Sequence, residues 1–487
     1  MIRKQIGRLA KQSLVYGLGG IISRVVAIFL LPVYTSFLVP GSYGIVFLLL
    51  ASEAVMVILL RAGIQNAFFR FYYLTSDPIK RRTVVRTSFW YTMAAATVGL
   101  VLGLVFAPEI ASWFKPKHGT IDPNLVRATA VFLWADMNYQ QQTALFRAEQ
   151  RSVSYAIASV SNVIITICAT LLLVVAFHKG PLGLIVGNFT GTLCVYTALL
   201  VYRLPVLGFE FDRRLYRAME HFGLPLLPSA LALWATKFSD RFFVNHYLGL
   251  DKAGVYTFGV QIASALVLAI TAFQLAWPAF AYSIEDDEEA RRTYAYVLTY
   301  FLYLMTWTAV ALSLLAPALA HLLAPHNHKY WPGAGVVPVL AFGSVIFAGY
   351  SVVVISIGRV RKTGANWIIT GLGALANVGL NIWLIPRIGM IGAAWSLLGA
   401  YGAMFIAMSW HAQRLFHVPY QWRRVVTVLG VGGGLVLAGK ALSVSTPLAL
   451  AFAAAYPVLL FFFAFYQASE RKQIARLIRR VLHAQPA

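Results

Sequence analysis

Acidic residues are scarce in this chain. Asp and Glu number 17 against 40 Lys and Arg in 487 residues. All charged residues together make up 12% of the sequence, whereas a soluble domain carries about 25%. With 59% hydrophobic residues, that shortage excludes a string of soluble domains and leaves an integral membrane protein. Cysteine is nearly absent as well. Cys168 and Cys194 both sit in apolar runs, read as buried thiols, and neither a disulfide framework nor a zinc-ligand spacing exists. Long polar stretches are also missing; the longest outside the apolar runs is about 20 residues. That is too short for a catalytic domain, which argues against a membrane-bound glycosyltransferase or polymerase, and no nucleophile–base constellation is legible. The formal charge of +23 would suggest nucleic acid in a soluble protein. In a membrane protein the excess of basic residues in cytoplasmic loops accounts for it, and no nucleic acid is expected.

What the chain has in abundance is apolar runs. About 20 apolar residues cross a bilayer, and fourteen stretches qualify: 12–38, 42–64, 84–107, 124–146, 152–177, 181–203, 220–249, 253–278, 293–323, 333–357, 363–385, 389–413, 424–442 and 446–467. The basic start "MIRKQIGRLAKQSLVYGLGG" is like a signal peptide. Arg24 interrupts its apolar run and no small-residue cleavage site follows, so a retained first span is expected. With the N-terminus in the cytoplasm, 28 Lys and Arg fall on the cytoplasmic side, 8 on the other, and four inside spans. The asymmetry orients the chain and favours an even number of spans with both termini cytoplasmic.

The halves repeat. "FLVPGSYGIV" (37–46) aligns with "YLGLDKAGVY" (247–256) at an offset of 210, Arg151 with Arg361 at the same offset, and Gly180 and Gly183 with Gly389 and Gly392 at 209. The offset spans an even number of helices, which predicts parallel repeats about an axis along the membrane normal, with a substrate site between them. The expected organisation is an N-lobe over 1–204, a cytoplasmic linker over 205–219, a C-lobe over 220–415, and two extra helices with a basic tail over 416–487.

Polar residues at membrane depth are the functional candidates. Arg24 and Glu53 lie near the midplane of the first two spans. Arg61 is nearer the cytoplasmic end, where a snorkelling side chain would reach the headgroups. In "WADMNYQQQTALFRAEQ", Asp136, Gln140, Thr143 and Arg147 fall at i, i+4, i+7 and i+11, one helical face that cannot front lipid. In the seventh span Trp234, Lys237, Arg241 and Asn245 share a stripe, and Lys237 with Asp240 at i, i+3 forms a candidate neutral pair. Gln261 and Ser264 extend the polar lining. Arg24, Arg61, Lys237 and Arg241 against Glu53, Asp136 and Asp240 leave one positive charge in surplus, which favours an anion. Three weaker motifs have blander explanations. His326 and His328 lack a third ligand for a metal. The run "EDDEE" (285–289) reads as a solvated acidic loop. "GVGGGLVLAG" (430–439) lacks the ending of a phosphate loop and reads as close helix packing.

Four stretches carry a resemblance: "SLVYGLGGIISRVVAIFLLPVYTSFLVPGSYGIV" (13–46), "SDRFFVNHYLGLDKAGVYTFGVQIAS" (239–264), "FQLAWPAF" (273–280) and "NIWLIPRIGMIGAAWSLLGAY" (381–401). Together they resemble the Wzx-like polysaccharide flippases of the multidrug/oligosaccharidyl-lipid/polysaccharide exporter superfamily. The resemblance implies an all-α polytopic protein of about fourteen transmembrane helices, with two six-helix lobes forming a V around a cationic cavity and two further C-terminal helices. It implies a flippase, not an enzyme, in the bacterial inner membrane, which moves polyprenyl-diphosphate-linked oligosaccharide to the outer leaflet by alternating access. Arg24, Lys237 and Arg241 would meet the diphosphate. Trp234, Asn138, Gln140, Gln141 and Gln261 would meet the sugars. Glu53, Asp136 and Asp240 would be cavity carboxylates that couple to a proton or sodium gradient, and Arg61 with Arg147 would mark a cytoplasmic entrance. No cofactor is expected; the membrane potential is a further candidate driving force. A polysaccharide polymerase and chain-length proteins are candidate partners. A lipid II flippase and a cation-coupled multidrug exporter of the same superfamily are the alternatives, the exporter disfavoured because it would want surplus carboxylates.

Overall fold

The computed structural model describes residues 26, 28–114, 121–360, 362–463, 465–467 and 470–471. Arg24 and Arg361, which carried expectations above, lie outside them. Among the described residues the regular structure is helical, with no strand. In chain order the helices are α1 (Leu31–Phe37), α2 (Pro40–Arg61), α3 (Ile64–Leu74), α4 (Pro78–Val105), α5 (Ala107–Trp113), α6 (Pro123–Ala148), α7 (Ser152–Leu171), α8 (Gly180–Leu207), α9 (Arg213–Gly223), α10 (Leu227–Leu248), α11 (Leu250–Ala263), α12 (Ala265–Ser283), α13 (Asp287–Leu323), α14 (Val337–Arg359), α15 (Asn366–Ile388), α16 (Met390–Leu415), α17 (Trp422–Ala441) and α18 (Thr446–Phe462). Ten helical stretches are long and apolar enough to cross a membrane, which makes this a multi-pass membrane protein. Helices α6 and α10 fall outside that set. They are the two that carry the polar stripes, so the residues that lower their hydropathy are the ones suspected of function.

Two bundles form. In the first, α6 packs against α2, α4 and α8, and α7 against α8; in the second, α16 packs against α14 and α15, α10 against α15, and α13 against α14. Helices α17 and α18 flank α13. Gly432 of α17 lies against Thr306, Val310 and Tyr456, and Gly439 against Leu314, so the glycine run serves helix packing. The connector expected over 205–219 is largely helical: α9 begins at Arg213, capped by Asp212, whose carboxylate accepts from the Arg214 and Leu215 amides.

The lobes meet at both ends. At one, α2 crosses α11 where Gly44 faces Gly254: a Cβ on Gly44 would stand 2.5 Å from the Leu250 carbonyl oxygen and 2.8 Å from the Gly254 nitrogen, and a Cβ on Gly254 would strike the Pro40 carbonyl. Pro40 with Leu250 and Gly44 with Gly254 are the pairs related by the offset of 210. The contact is therefore reciprocal, as a two-fold axis between parallel repeats requires. Gly180 and Gly389, the related glycines before α8 and α16, both have left-handed φ, 55° and 66°. A continuous core from both lobes, including Leu31, Tyr43, Val46, Val244, Tyr256 and Tyr330, buries this end. At the other end Gly63 (φ 78°) abuts Gly223, whose Cβ would lie 2.7 Å from the Gly63 carbonyl carbon. In this state the arms of the V are joined above and below.

Candidate functional site

Each lobe buries its own polar cluster. In the first, α2 ends after Arg61 because Ala62 (φ 46°) and Gly63 turn left-handed. The reversal returns Gln65 beside Arg61. Nη1 of Arg61 donates to Gln65 Oε1 at 2.6 Å and to Gln140 Oε1 at 2.7 Å, and Nη2 donates to the Met137 carbonyl at 3.1 Å. The Gln140 amide donates in turn to Asp136. Glu53 lies within electrostatic reach of Asp136 and Arg61, and its Oε1 is buried with no hydrogen-bond partner among the described residues. The snorkelling expected of Arg61 does not occur. It is 8% exposed, because three acceptors on α3 and α6 supply what the headgroups would. A cavity of about 140 Å³ adjoins the cluster, lined by Arg61, Gly63 and Gln65 from the first lobe and Leu226, Leu227 and Ala230 from the second. The cluster thus opens on the seam between lobes.

The second cluster sits on α10. Asp240, 1% exposed, accepts from the Tyr256 hydroxyl at 2.5 Å, from Arg241 Nη1 at 3.2 Å and from the Arg241 amide at 2.9 Å. Arg241, 7% exposed, also donates Nη1 to the Lys237 carbonyl at 2.9 Å, while its Nε is buried without a partner among the described residues. The acid's ion-pair partner is therefore Arg241 and not the Lys237 expected, because Asp240 points towards α11, where Tyr256 completes its shell. Lys237 is exposed, with Nζ 5.7 Å from the Phe347 ring centroid. Two residues of the α10 stripe reach the first lobe: the Trp234 indole donates to the Ala51 carbonyl at 2.9 Å and Asn245 Nδ2 to the Phe114 carbonyl at 3.3 Å.

Several expected contact residues are occupied elsewhere in this state. Asn138 is fully buried and donates to the Trp134 carbonyl of its own helix at 2.8 Å. Gln141 donates to Ser88 Oγ at 3.0 Å, tying α6 to α4. With Trp234 also bonded to backbone, three of the five residues expected to meet sugars make internal hydrogen bonds in this state, while Asn138 Oδ1 is buried without a partner among the described residues. Gln140 belongs to the Arg61 cluster, and Gln261 is half-buried on α11. Arg147 lies over the rings of Phe69 and Tyr155, at 5.3 and 5.9 Å. Neither Lys237 nor Arg241 lines the cavities of about 550 and 470 Å³ that lie among the helices of the first lobe.

The acidic run 285–289 is exposed as expected, but only Glu285 and Asp286 lie in a loop; Asp287, Glu288 and Glu289 open α13. Asp286 caps α13 by accepting from the Glu289 amide at 2.8 Å, and the first turn is acidic, which suits the helix dipole. Arg359 of α14 donates to Asp287 at 2.8 Å and to the Ile284 carbonyl, holding that end of the second lobe. Among the described residues no group of three or more His, Cys, Asp or Glu could hold a metal. His328 instead packs on Trp331. Cys168 and Cys194 are exposed rather than buried. Missed by the sequence reading are Gln65, Tyr256, and the fully buried Asn377 and Asn381 of α15. Ser239 Oγ donates to Asn377 Oδ1 at 2.9 Å, and Asn381 Nδ2 donates to it at 3.0 Å. Two asparagines at i, i+4 inside an apolar helix were the available signal.

Two similar helical bundles with buried ionic clusters at their seam define a class of membrane protein, and comparison places the chain within it. The family model for "Polysaccharide biosynthesis protein" matches residues 33–327. The chain belongs to that family. It is 21% identical over 418 residues to an uncharacterized membrane protein, MJ1068, of Methanocaldococcus jannaschii, covering 80% of this chain and 81% of the relative. Its fold resembles that of the lipid II flippase MurJ in an inward closed conformation, at a TM-score of 0.74 and 12% identity over 92% of this chain and 99% of the other. It also resembles an inward-facing multidrug resistance MATE family transporter of the MOP superfamily, at 0.67 and 14%, over 84% and 98%. A third likeness is a MOP superfamily transporter from Pyrococcus furiosus, described as having a binding pocket of reversed polarity, at 0.55 and 15%, over 89% and 96%.

Proposed function

We propose that the protein is a carrier that flips polyprenyl-diphosphate-linked oligosaccharide from the cytoplasmic to the opposite leaflet of the cytoplasmic membrane, for surface or extracellular polysaccharide. The observation that carries the reading is a buried ionic cluster in each lobe beside the seam between them, in a member of a polysaccharide biosynthesis family. On α10 Asp240 offsets Arg241, and the exposed Lys237 is the lysine that this reading brings to a phosphate group when substrate binds. In the first lobe Glu53 and Asp136 both act on Arg61, with Arg147 also within electrostatic reach. A carboxylate of this cluster is the place for a coupling proton or sodium ion, and a cavity at the seam supplies the route.

The end bearing Arg61 and Gly63 faces the cytoplasm in this reading, as the basic bias requires. Contacts at Gly44–Gly254 and Gly63–Gly223 act as outer and inner gates, opened in alternation. With the cytoplasm negative, exporting two negative charges releases roughly 4.6 kcal/mol at 100 mV, at about 2.3 per charge. The protein supplies no covalent chemistry. The fold's likeness to a lipid II flippase favours one second reading, in which the same diphosphate carries a peptidoglycan precursor. Deleting the gene discriminates. The proposal expects a lipid-linked oligosaccharide to accumulate in the inner leaflet with peptidoglycan synthesis intact. Accumulation of the peptidoglycan precursor supports the second reading, and accumulation of neither rejects both.

A further inference from the structure

A cavity of about 550 Å³ lies away from the seam between the lobes. It lies at the Arg61 end of the first lobe, among α4, the α6–α7 turn and the end of α8, and Arg81, Arg82, Arg86, Arg151 and Arg203 line it with Glu149 as the one acid. The local acids do not balance these cations. Glu210 takes Arg86 at 2.6 Å, and Glu149 lies 3.7 Å from Arg151 and 3.9 Å from Arg203. Five guanidinium groups against two carboxylates leave three positive charges around one space. Arg203 is 6% exposed and fixed by Gln142, to whose Oε1 Nη1 donates at 3.2 Å, and by the Phe146 ring at 4.1 Å. Its Nη2 is buried without a hydrogen bond among the described residues, with the Glu149 carboxylate 3.9 Å away, so the donor is open to a closer acceptor.

A second cavity, about 470 Å³ and apolar, continues from the first; Arg151 and Tyr202 line both. It runs between α7 and α8, past Ile157, Ser161 and Ile165 on one wall and Cys194 and Ala198 on the other. From Ser154 to Ile165 at 1.5 Å per residue, the groove is about 16 Å deep, the reach of most of an acyl chain. An anionic head and an apolar tail are thus provided for in sequence.

We propose that this pocket and groove bind an acidic glycerophospholipid of the adjoining leaflet, its phosphate among Arg82, Arg151 and Arg203 and one acyl chain between α7 and α8. The residues lining both cavities lie between 72 and 207, all in the first lobe, so a lipid seated there stands off the path between lobes and is not cargo. Its place is to brace α4 against α7 and α8 while the lobe rocks.

The test is native mass spectrometry of the full-chain protein titrated with phosphatidylglycerol or phosphatidylcholine. Glycerol phosphate and a polyprenyl monophosphate serve as competitors. Wild type should retain one phosphatidylglycerol in preference to phosphatidylcholine. Arg82→Gln with Arg151→Gln should weaken that retention about thirtyfold, roughly fivefold per basic residue. Ser161→Trp, which fills the groove and leaves the arginines in place, should displace the lipid as well. Equal retention of the two phospholipids, or wild-type retention by either variant, overturns the proposal. Displacement by glycerol phosphate at equal concentration would reduce the site to a phosphate pocket, and stoichiometric displacement by the polyprenyl monophosphate would make it a cargo site; either also overturns it.

Discussion

Replacing Gly44 with alanine should open one gate selectively. The added Cβ would lie 2.5 Å from the Leu250 carbonyl oxygen and 2.8 Å from the Gly254 nitrogen, roughly 1 Å inside ordinary contact with rigid backbone. Overpacking of this kind costs about 1–3 kcal/mol. The cost falls only on the state in which α2 and α11 touch, while the helix-propensity gain of alanine over glycine, about 1 kcal/mol, is common to both states. The equilibrium should therefore move about 5- to 150-fold towards separation, at 1.4 kcal/mol per tenfold. Gly41 and Asp251 report it. A Cβ on Gly41 would stand 3.6 Å from Asp251 Cγ, so Gly41→Cys with Asp251→Cys should cross-link readily under mild oxidant, with Cys168 and Cys194 first changed to serine. In that background Gly44→Ala should slow cross-linking at least fivefold, and complete cross-linking without it should stop transport. Equal cross-linking rates with and without Gly44→Ala, or transport by the fully cross-linked protein, would refute the gate.

Three further perturbations separate structure from transport. Arg241→Ala should lower thermal stability by about 3–5 kcal/mol, because it strands the buried Asp240, and Asp240→Asn in the same chain should restore much of it; Lys237→Ala should cost less stability than Arg241→Ala and cut transport. Arg61→Ala should likewise destabilise, by about 3–5 kcal/mol, and Glu53→Gln should partly rescue it if the two carboxylates share that arginine. Glu210 is hydrogen-bonded by Arg86 and Thr83, which hold its carboxyl below the ordinary 4.5. Its tether on the segment before α9 should be complete above pH 4.5 and fade as pH falls through the lowered value, measured as faster amide exchange over 208–212 at low pH and, in Glu210→Gln, at neutral pH.

The helices were legible because apolar runs of about 20 residues have few alternatives. The pairing of repeats was legible because Gly44 and Gly254 are constrained by the same close approach and so share a local pattern. Orientation towards partners was not. Asp240 has Lys237 at i−3 and Arg241 at i+1, and helical spacing favours the lysine; the choice went to the arginine because Tyr256, on another helix, turns the carboxylate that way. Asn138 and Gln141 looked like cavity groups for the same reason: a buried amide bonded to Trp134 or Ser88 reads identically to one aimed at a ligand. Arg61 was misjudged from depth alone, since the left-handed turn at Ala62 that brings Gln65 back to it leaves no mark in composition.

The central claim is tested most directly by flipping in vesicles reconstituted with the purified protein, reading the exposure of a polyprenyl-diphosphate-linked oligosaccharide on the far leaflet. Wild type should move it faster than protein-free vesicles, faster still with the loading side negative, and at least tenfold faster than folded Lys237→Ala. Transport of an uncharged lipid-linked sugar at the same rate, or an unimpaired Lys237→Ala, would contradict the account.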